Sequence, residues 1–338
     1  GQFTTVYGLK FSGNGQGVQI VSNNTSVLRC WFMGPRGVKA TNQVMALDVA
    51  GNTVKPVTSY RAALNAQKDD ESGKLLVQYS DPKTPAVHFV LDKADDLANK
   101  GAWRQVTNAN PQVANFQLGE EEEICWKSVD KKETCGILVK PVGYTAGKRY
   151  PLIVAIHGGP QSADILTFNG GYGAQAYAGD GYMVLKPNYR GSTNYGEAHK
   201  WGIVNDYFKK GYEDIITGVD ELIADGMVDG DKMGVLGWSA GGHWTNWIIT
   251  HTTRFKSASS GAGTANWISM YAQSDMQDVR ANYLGGKPPY ENFEDRAVPD
   301  PGPHRDGQVR RSQDQHPVQD GGVDGPGGVR PGGGDRGQ

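Results

Sequence analysis

Met233-Gly234-Val235-Leu236-Gly237-Trp238-Ser239-Ala240-Gly241-Gly242 is the stretch on which the fold of this chain turns. Met233 to Gly237 is a short run of the kind that fills a strand buried on both faces, and it breaks at Ser239. From Gly241 to Thr250 the pattern resumes as a helix. A serine between a buried strand and a helix, with Gly237 and Gly241 beside it, matches the sharp turn that lifts a nucleophilic hydroxyl clear of a sheet, because small neighbours let the backbone bend tightly. With 47 glycines in 338 residues the pentapeptide alone is a weak signal, and its strand-to-helix context carries the weight.

Working outward, Leu152-Ile153-Val154-Ala155-Ile156 ends at His157-Gly158-Gly159-Pro160, and Tyr182-Met183-Val184-Leu185 leads to Asn188-Tyr189-Arg190-Gly191. Both runs predict central strands of a parallel sheet. Tyr212, Ile215, Ile216, Val219, Leu222 and Ile223 recur at the spacing of one helical face, with Asp225-Gly226 as a stop, and Ser257 to Ser260 predicts a further strand. Alternation of strand and helix from about Glu120 predicts an α/β sheet. The glycines after Ile156 let backbone N–H groups face a carbonyl oxygen as it becomes an oxyanion, so the N–H groups of Gly159 and Ala240 are the expected oxyanion hole. His157 is read as a structural hydrogen-bonding residue, since in this fold the base follows the nucleophile in chain order.

Before Glu120 the texture differs. From Val6 to about Val113 short extended segments (Val18 to Val21, Val44 to Leu47, Leu75 to Tyr79, His88 to Leu91) alternate with turn residues, which predicts antiparallel sheet. The spacing suits two or three blades of a β-propeller, too few to close a ring, so further blades are expected upstream of Gly1. From Asp295 to Gln338 there is no Leu, Ile, Met, Phe, Tyr, Trp, Lys, Glu, Thr or Asn, and such a Gly/Pro-rich stretch is expected to be disordered. Apart from Ser312, each of its residues has a codon beginning with G or C, as happens when the wobble position of a GC-rich gene is read first. A frame shift between Phe293 and Pro301 is the expectation this raises. The division is therefore 1–118 strand-rich partial propeller, 119–294 α/β domain incomplete at its C-terminal end, and 295–338 tail.

Composition narrows the function. A net charge of -2 supplies no field to draw the protein to nucleic acid or acidic lipid, and no apolar run is long enough to span a bilayer. The chain begins at Gly1 without a basic start and apolar stretch, which reads as a processed end or the edge of a longer protein, so no compartment is assigned. Cys30, Cys125 and Cys135 show no metal-ligand spacing. Cys125 and Cys135 flank a predicted turn at Asp130-Lys131, leaving a cross-strand disulfide or free thiols on a sheet, with free thiols the expectation.

His157-Gly158-Gly159-Pro160, then Pro187-Asn188-Tyr189-Arg190-Gly191-Ser192-Thr193, then Gly237 to Gly242, in this order and spacing, resemble the catalytic domain of the prolyl oligopeptidase family of serine peptidases, on its acylaminoacyl-peptidase and dipeptidyl-peptidase side. Trp126-Lys127-Ser128 and Gly136 to Pro141 resemble the lead-in to that domain, and the likeness covers about Asn110 to Phe293. The resemblance implies an α/β-hydrolase domain behind a β-propeller, hydrolysis of oligopeptides through an acyl-enzyme on Ser239, oxyanion donors at Gly159 and Ala240, and no cofactor or metal. It also implies a catalytic Asp and His roughly 80 and 110 residues after Ser239, where only the anomalous tail follows. His304 and His316 sit in that tail, Asp275 and Asp278 come too early, and His243 and His251 lie on the helix after the nucleophile, in packing or solvent-facing positions. The polypeptide is therefore expected to be inactive as written. A carboxylesterase of the same fold and a non-catalytic remnant or interaction domain are the alternatives, and peptide specificity and oligomeric state are not legible.

Overall fold

The structure, a computed structural model, describes residues 16–20, 27–31, 43–48, 53–69, 71–168, 171–288 and 291. The tail from Asp295, with its expected disorder, its inferred frame shift, His304 and His316, lies outside the described residues, as does Val21 at the end of the first predicted strand.

Strands β1 (Gln16–Ile20), β2 (Val27–Trp31), β3 (Gln43–Asp48) and β4 (Thr53–Pro56) form one antiparallel sheet in sequence order. β5 (Ala63–Lys68), β6 (Leu75–Asp81), β7 (Thr84–Leu91) and β8 (Arg104–Gln105) form a second. The second has its own core of Leu64, Leu75, Val77, Leu91, Leu97 and Trp103, where Tyr60, Tyr79 and Phe89 meet the Trp103 ring edge-on. β2, β4, β5 and β8 escaped the sequence reading. In β5 the buried face is only Leu64 and Ala66, too small an apolar signal to count.

The remaining strands are β9 (Glu121–Lys127), β10 (Glu133–Val139), β11 (Tyr150–Ile156), β12 (Met183–Asn188), β13 (Val228–Trp238) and β14 (Ser257–Gly261), in the spatial order β14-β13-β11-β12-β10-β9. β11 is parallel to both neighbours. β12 is parallel to β11 but antiparallel to β10, so the expected all-parallel setting holds for β11 and for one side of β12, because the β9–β10 hairpin folds against its other edge. The helices are α1 (Ala174–Gly179), α2 (Glu197–Lys200), α3 (Tyr207–Ala224), α4 (Ala240–His251), α5 (Trp267–Gln273) and α6 (Gln277–Tyr283). α3 buries Ile215, Val219 and Leu222 against one sheet face, together with Leu152, Val154, Met183 and Leu185. Each such side chain contributes roughly 1.5–3 kcal/mol. The opposite face, with Ile137, Ile153, Ala155 and Val184, packs on α1 and Leu166.

The hairpin corrects the expectation of free thiols. Cys125 and Cys135 are register partners and form a disulfide, closing a loop of sequence separation 10 across the turn at Ser128 to Lys132. Closing a loop of that length restricts the unfolded chain by about 3 kcal/mol. Reduction, or Cys125→Ser, is accordingly expected to lower the denaturant midpoint, as urea titration would show.

Candidate active site

Ser239 stands between β13 and α4 with φ 58° and ψ -120°, a backbone conformation that a side-chain-bearing residue adopts only when its surroundings enforce it. Those surroundings are visible. The Ser239 N–H donates to the Gly261 carbonyl on β14 at 2.9 Å, and its carbonyl accepts the His243 N–H at 3.0 Å to start α4. A side chain at Gly241 would collide with the Ile156 carbonyl, so glycine there lets α4 sit down on the end of β11. The turn exposes the Trp238 indole and leaves Ser239 half-buried.

The loop leaving β11 passes directly under the serine. A methyl group placed on Gly158 would lie 3.2 Å from the Ser239 Cβ and 3.8 Å from its Oγ. The Ala240 N–H is the first amide of α4, one of those with no partner inside the helix. Gly159 follows Gly158 with φ 122°. The three residues picked from the sequence, Ser239, Gly159 and Ala240, thus come from the ends of two adjacent strands.

Asn188, Tyr189, Ser192 and Thr193 each hydrogen-bond to this loop. The Asn188 amide accepts from the Asp164 N–H at 2.8 Å and donates to the Asp164 carbonyl at 2.9 Å. The Tyr189 hydroxyl donates to the His157 carbonyl at 2.8 Å, and its ring stacks on the imidazole. Ser192 Oγ pairs with His157 Nε2 at 2.9 Å, and the Thr193 N–H donates to the Ser162 carbonyl at 2.8 Å. Arg190 turns the other way: its guanidinium grips both Asp214 carboxylate oxygens on α3 and reaches Asp130 and Ser128 on the hairpin.

His157 is buried, with Nδ1 against the Gly158 carbonyl and Nε2 against Ser192, and burial pushes its pKa below the ordinary histidine value. It is a neutral structural residue at pH 7. His243 is buried with Nδ1 3.3 Å from the Tyr207 hydroxyl, while His251 is exposed and stacks on Trp247. Asp275 and Asp278 are exposed, the latter in the first turn of α6. Among the described residues no imidazole is hydrogen-bonded to the Ser239 hydroxyl. A groove of about 600 Å³, walled by Phe208, Tyr212, Trp247 and Trp267, is lined by none of the three predicted site residues.

The sequence reading missed a buried charge cluster beneath the loop. Lys186, 1 % exposed, places Nζ 3.8 Å from Asp164 and 3.9 Å from Glu121. Burial pushes the Glu121 carboxyl above its ordinary value, while Lys186 and a hydrogen bond from Gln175 pull it back. The signal was a lysine directly after the apolar run Met183 to Leu185, on a strand buried on both faces.

Residues 168–301, which include the serine turn, match the model of the prolyl oligopeptidase family. This part of the chain resembles that family. Among curated proteins, the uncharacterized peptidase YuxL of Bacillus subtilis is 37% identical over 175 residues, covering 51% of this chain and 26% of that protein. Dipeptidyl-peptidase 5 of Porphyromonas gingivalis is 30% identical over 187 residues, covering 54% and 27%. The chain thus spans about a quarter of the length of these two relatives. Among solved structures, an acylaminoacyl peptidase in complex with Z-Gly-Gly-Phe-chloromethyl ketone superposes with TM-score 0.68 at 25% identity over 82% of this chain and 42% of that one. Porphyromonas gingivalis dipeptidyl peptidase 4 gives TM-score 0.69 at 19% identity, over 85% and 40%, a likeness of fold alone. The family's α/β-hydrolase architecture is thereby the architecture of the six-stranded sheet.

Proposed function

We propose that the chain carries the nucleophile and the oxyanion donors of a serine peptidase that hydrolyses oligopeptides through an acyl-enzyme on Ser239. The observation that carries this is the strained serine turn set against the Gly158–Gly159 loop. In that chemistry Ser239 Oγ adds to the scissile carbonyl, the N–H groups of Gly159 and Ala240 take up the charge on its oxygen, the amine leaves, and water releases the acyl group. No metal or cofactor takes part.

A serine hydroxyl is a weak nucleophile at neutral pH without an oriented imidazole. None of the described histidines serves Ser239, which supports the further proposal that the polypeptide as written is catalytically incomplete and, in this form, a remnant of a peptidase. The two four-stranded meanders support reading 1–118 as two blades of a propeller before a peptidase domain at 119–294, with 295–338 translated from a shifted frame. The names of the relatives, dipeptidyl-peptidase and acylaminoacyl peptidase, favour peptides over simple esters as substrates.

Sequencing the coding DNA from the Phe293 codon onward tests this. A one-base correction should open a frame encoding two more strands, an Asp and a His, and the corrected protein should cleave short peptides in a way that Ser239→Ala abolishes. An intact written frame would remove the proposal of a shifted tail. A corrected protein that cleaves peptides equally well without Ser239 would remove the peptidase assignment to this serine.

A further inference from the structure

Cys125 and Cys135 face each other across β9 and β10, and Glu123 lies two residues before Cys125 on the same face of β9. One ligand atom from each, two sulfurs and a carboxylate oxygen, all lie within 4.8 Å of one another. We propose that the hairpin is a redox-gated metal site: a disulfide when oxidised, and a zinc site of two thiolates and one carboxylate when reduced.

Atoms sharing one tetrahedral zinc, with Zn–S near 2.3 Å and Zn–O near 2.0–2.2 Å, lie roughly 3.3–3.8 Å apart. Breaking the S–S bond lets the sulfurs part to that separation without moving the strands, since both side chains already point to one face. Two soft thiolates with one harder oxygen favour zinc over calcium or magnesium. The Tyr195 hydroxyl, donating to Glu123 Oε1 at 3.2 Å, orients the carboxylate from behind. Access comes from the edge, because β9 is the outer strand and Cys125 is exposed while Cys135 is buried. Water fills the fourth position.

The chemistry balances with a phosphine as reductant. Its phosphorus attacks one sulfur, the S–S bond breaks, and water delivers an oxygen to phosphorus, leaving two thiols and a phosphine oxide. Zinc then replaces the two thiol protons, which pass to solvent, as two Zn–S bonds form. This site is independent of the Ser239 chemistry and stands or falls separately from it.

The test is a zinc titration of the full chain, oxidised and phosphine-reduced, with the phosphine removed. One zinc per reduced chain is expected, and none on the oxidised chain. Cys125→Ser, which keeps Cys30 and Cys135, should lose the ion. Glu123→Gln removes a direct ligand and should weaken it by at least the roughly tenfold that loss of an outer-shell partner costs. In the unmutated reduced chain, zinc should slow alkylation of Cys125, read by mass spectrometry, by a similar factor, which keeps the test open should a variant fail to fold. Absence of zinc on the reduced chain, equal binding before and after reduction, undiminished binding by Cys125→Ser, or alkylation of Cys125 indifferent to zinc would each overturn the proposal.

Discussion

Asp214→Ala is expected to destabilise the protein by about 3–5 kcal/mol, the loss that follows when one partner of a buried ion pair is removed. The Arg190 guanidinium is 2 % exposed and Asp214 is fully buried, and the same carboxylate also accepts the Arg190 backbone N–H at 2.7 Å. Truncating it strands a buried cation and a buried amide together. Asp130 remains, but it is half-exposed on the hairpin turn and holds only one arm of the guanidinium. Replacing Arg190 and Asp214 together by apolar residues of similar volume should recover much of the loss, since no orphaned charge is left. Urea titration followed by tryptophan fluorescence checks both variants. A loss under about 1 kcal/mol would mean that the pair is worth no more than a surface ion pair.

Lys186→Met is expected to produce a deficit of similar size at neutral pH, and one that shrinks on acidification. The Glu121 carboxyl is raised by burial and drawn back by Lys186, so its folded pKa lies above the unfolded value. Its contribution is therefore fully present below the unfolded pKa and is lost as pH rises through the folded pKa. Without the ammonium the folded pKa climbs further, and holding Glu121 ionised beside Asp164 becomes costlier. Below the usual carboxylate range Glu121 is protonated in both states and the difference narrows. Denaturant titrations of parent and variant from about pH 3 to 8 read this directly, and a deficit that does not vary with pH would contradict the assignment.

The serine turn, the loop at His157 to Pro160 and the crossover helix α3 were legible because each carries a patterned apolar run bounded by turn residues or glycines. At Gly241 and Gly158 a side chain would collide with the Ile156 carbonyl or the Trp238 carbonyl, so the small residue answers a close approach of backbones. Less was legible where an interaction joins distant segments. Nothing local says that Asn188 holds Asp164, that Arg190 finds Asp214 on α3, or that Lys186 is shared between the loop and β9, because those pairings exist only once β9, β10 and β12 lie side by side. The disulfide failed for a related reason. Three scattered cysteines carry no framework signal, and only the hairpin register makes Cys125 and Cys135 opposite residues. In the strand-rich stretch β4, β5 and β8 carry weak apolar signals, and backbone pairing with neighbours supplies what their side chains do not, whereas β2, Val27–Trp31, is mostly apolar and was overlooked.

The proposal that no base serves Ser239 is tested most directly by incubating the chain as written with a fluorophosphonate and mapping the label by mass spectrometry beside Ser239→Ala. The predicted result is no more label on Ser239 than non-specific background, since a serine without its imidazole reacts slower by roughly 10⁴-fold or more than one in a complete triad. Stoichiometric modification of Ser239, absent in Ser239→Ala, would contradict the account and show that a base reaches this hydroxyl after all.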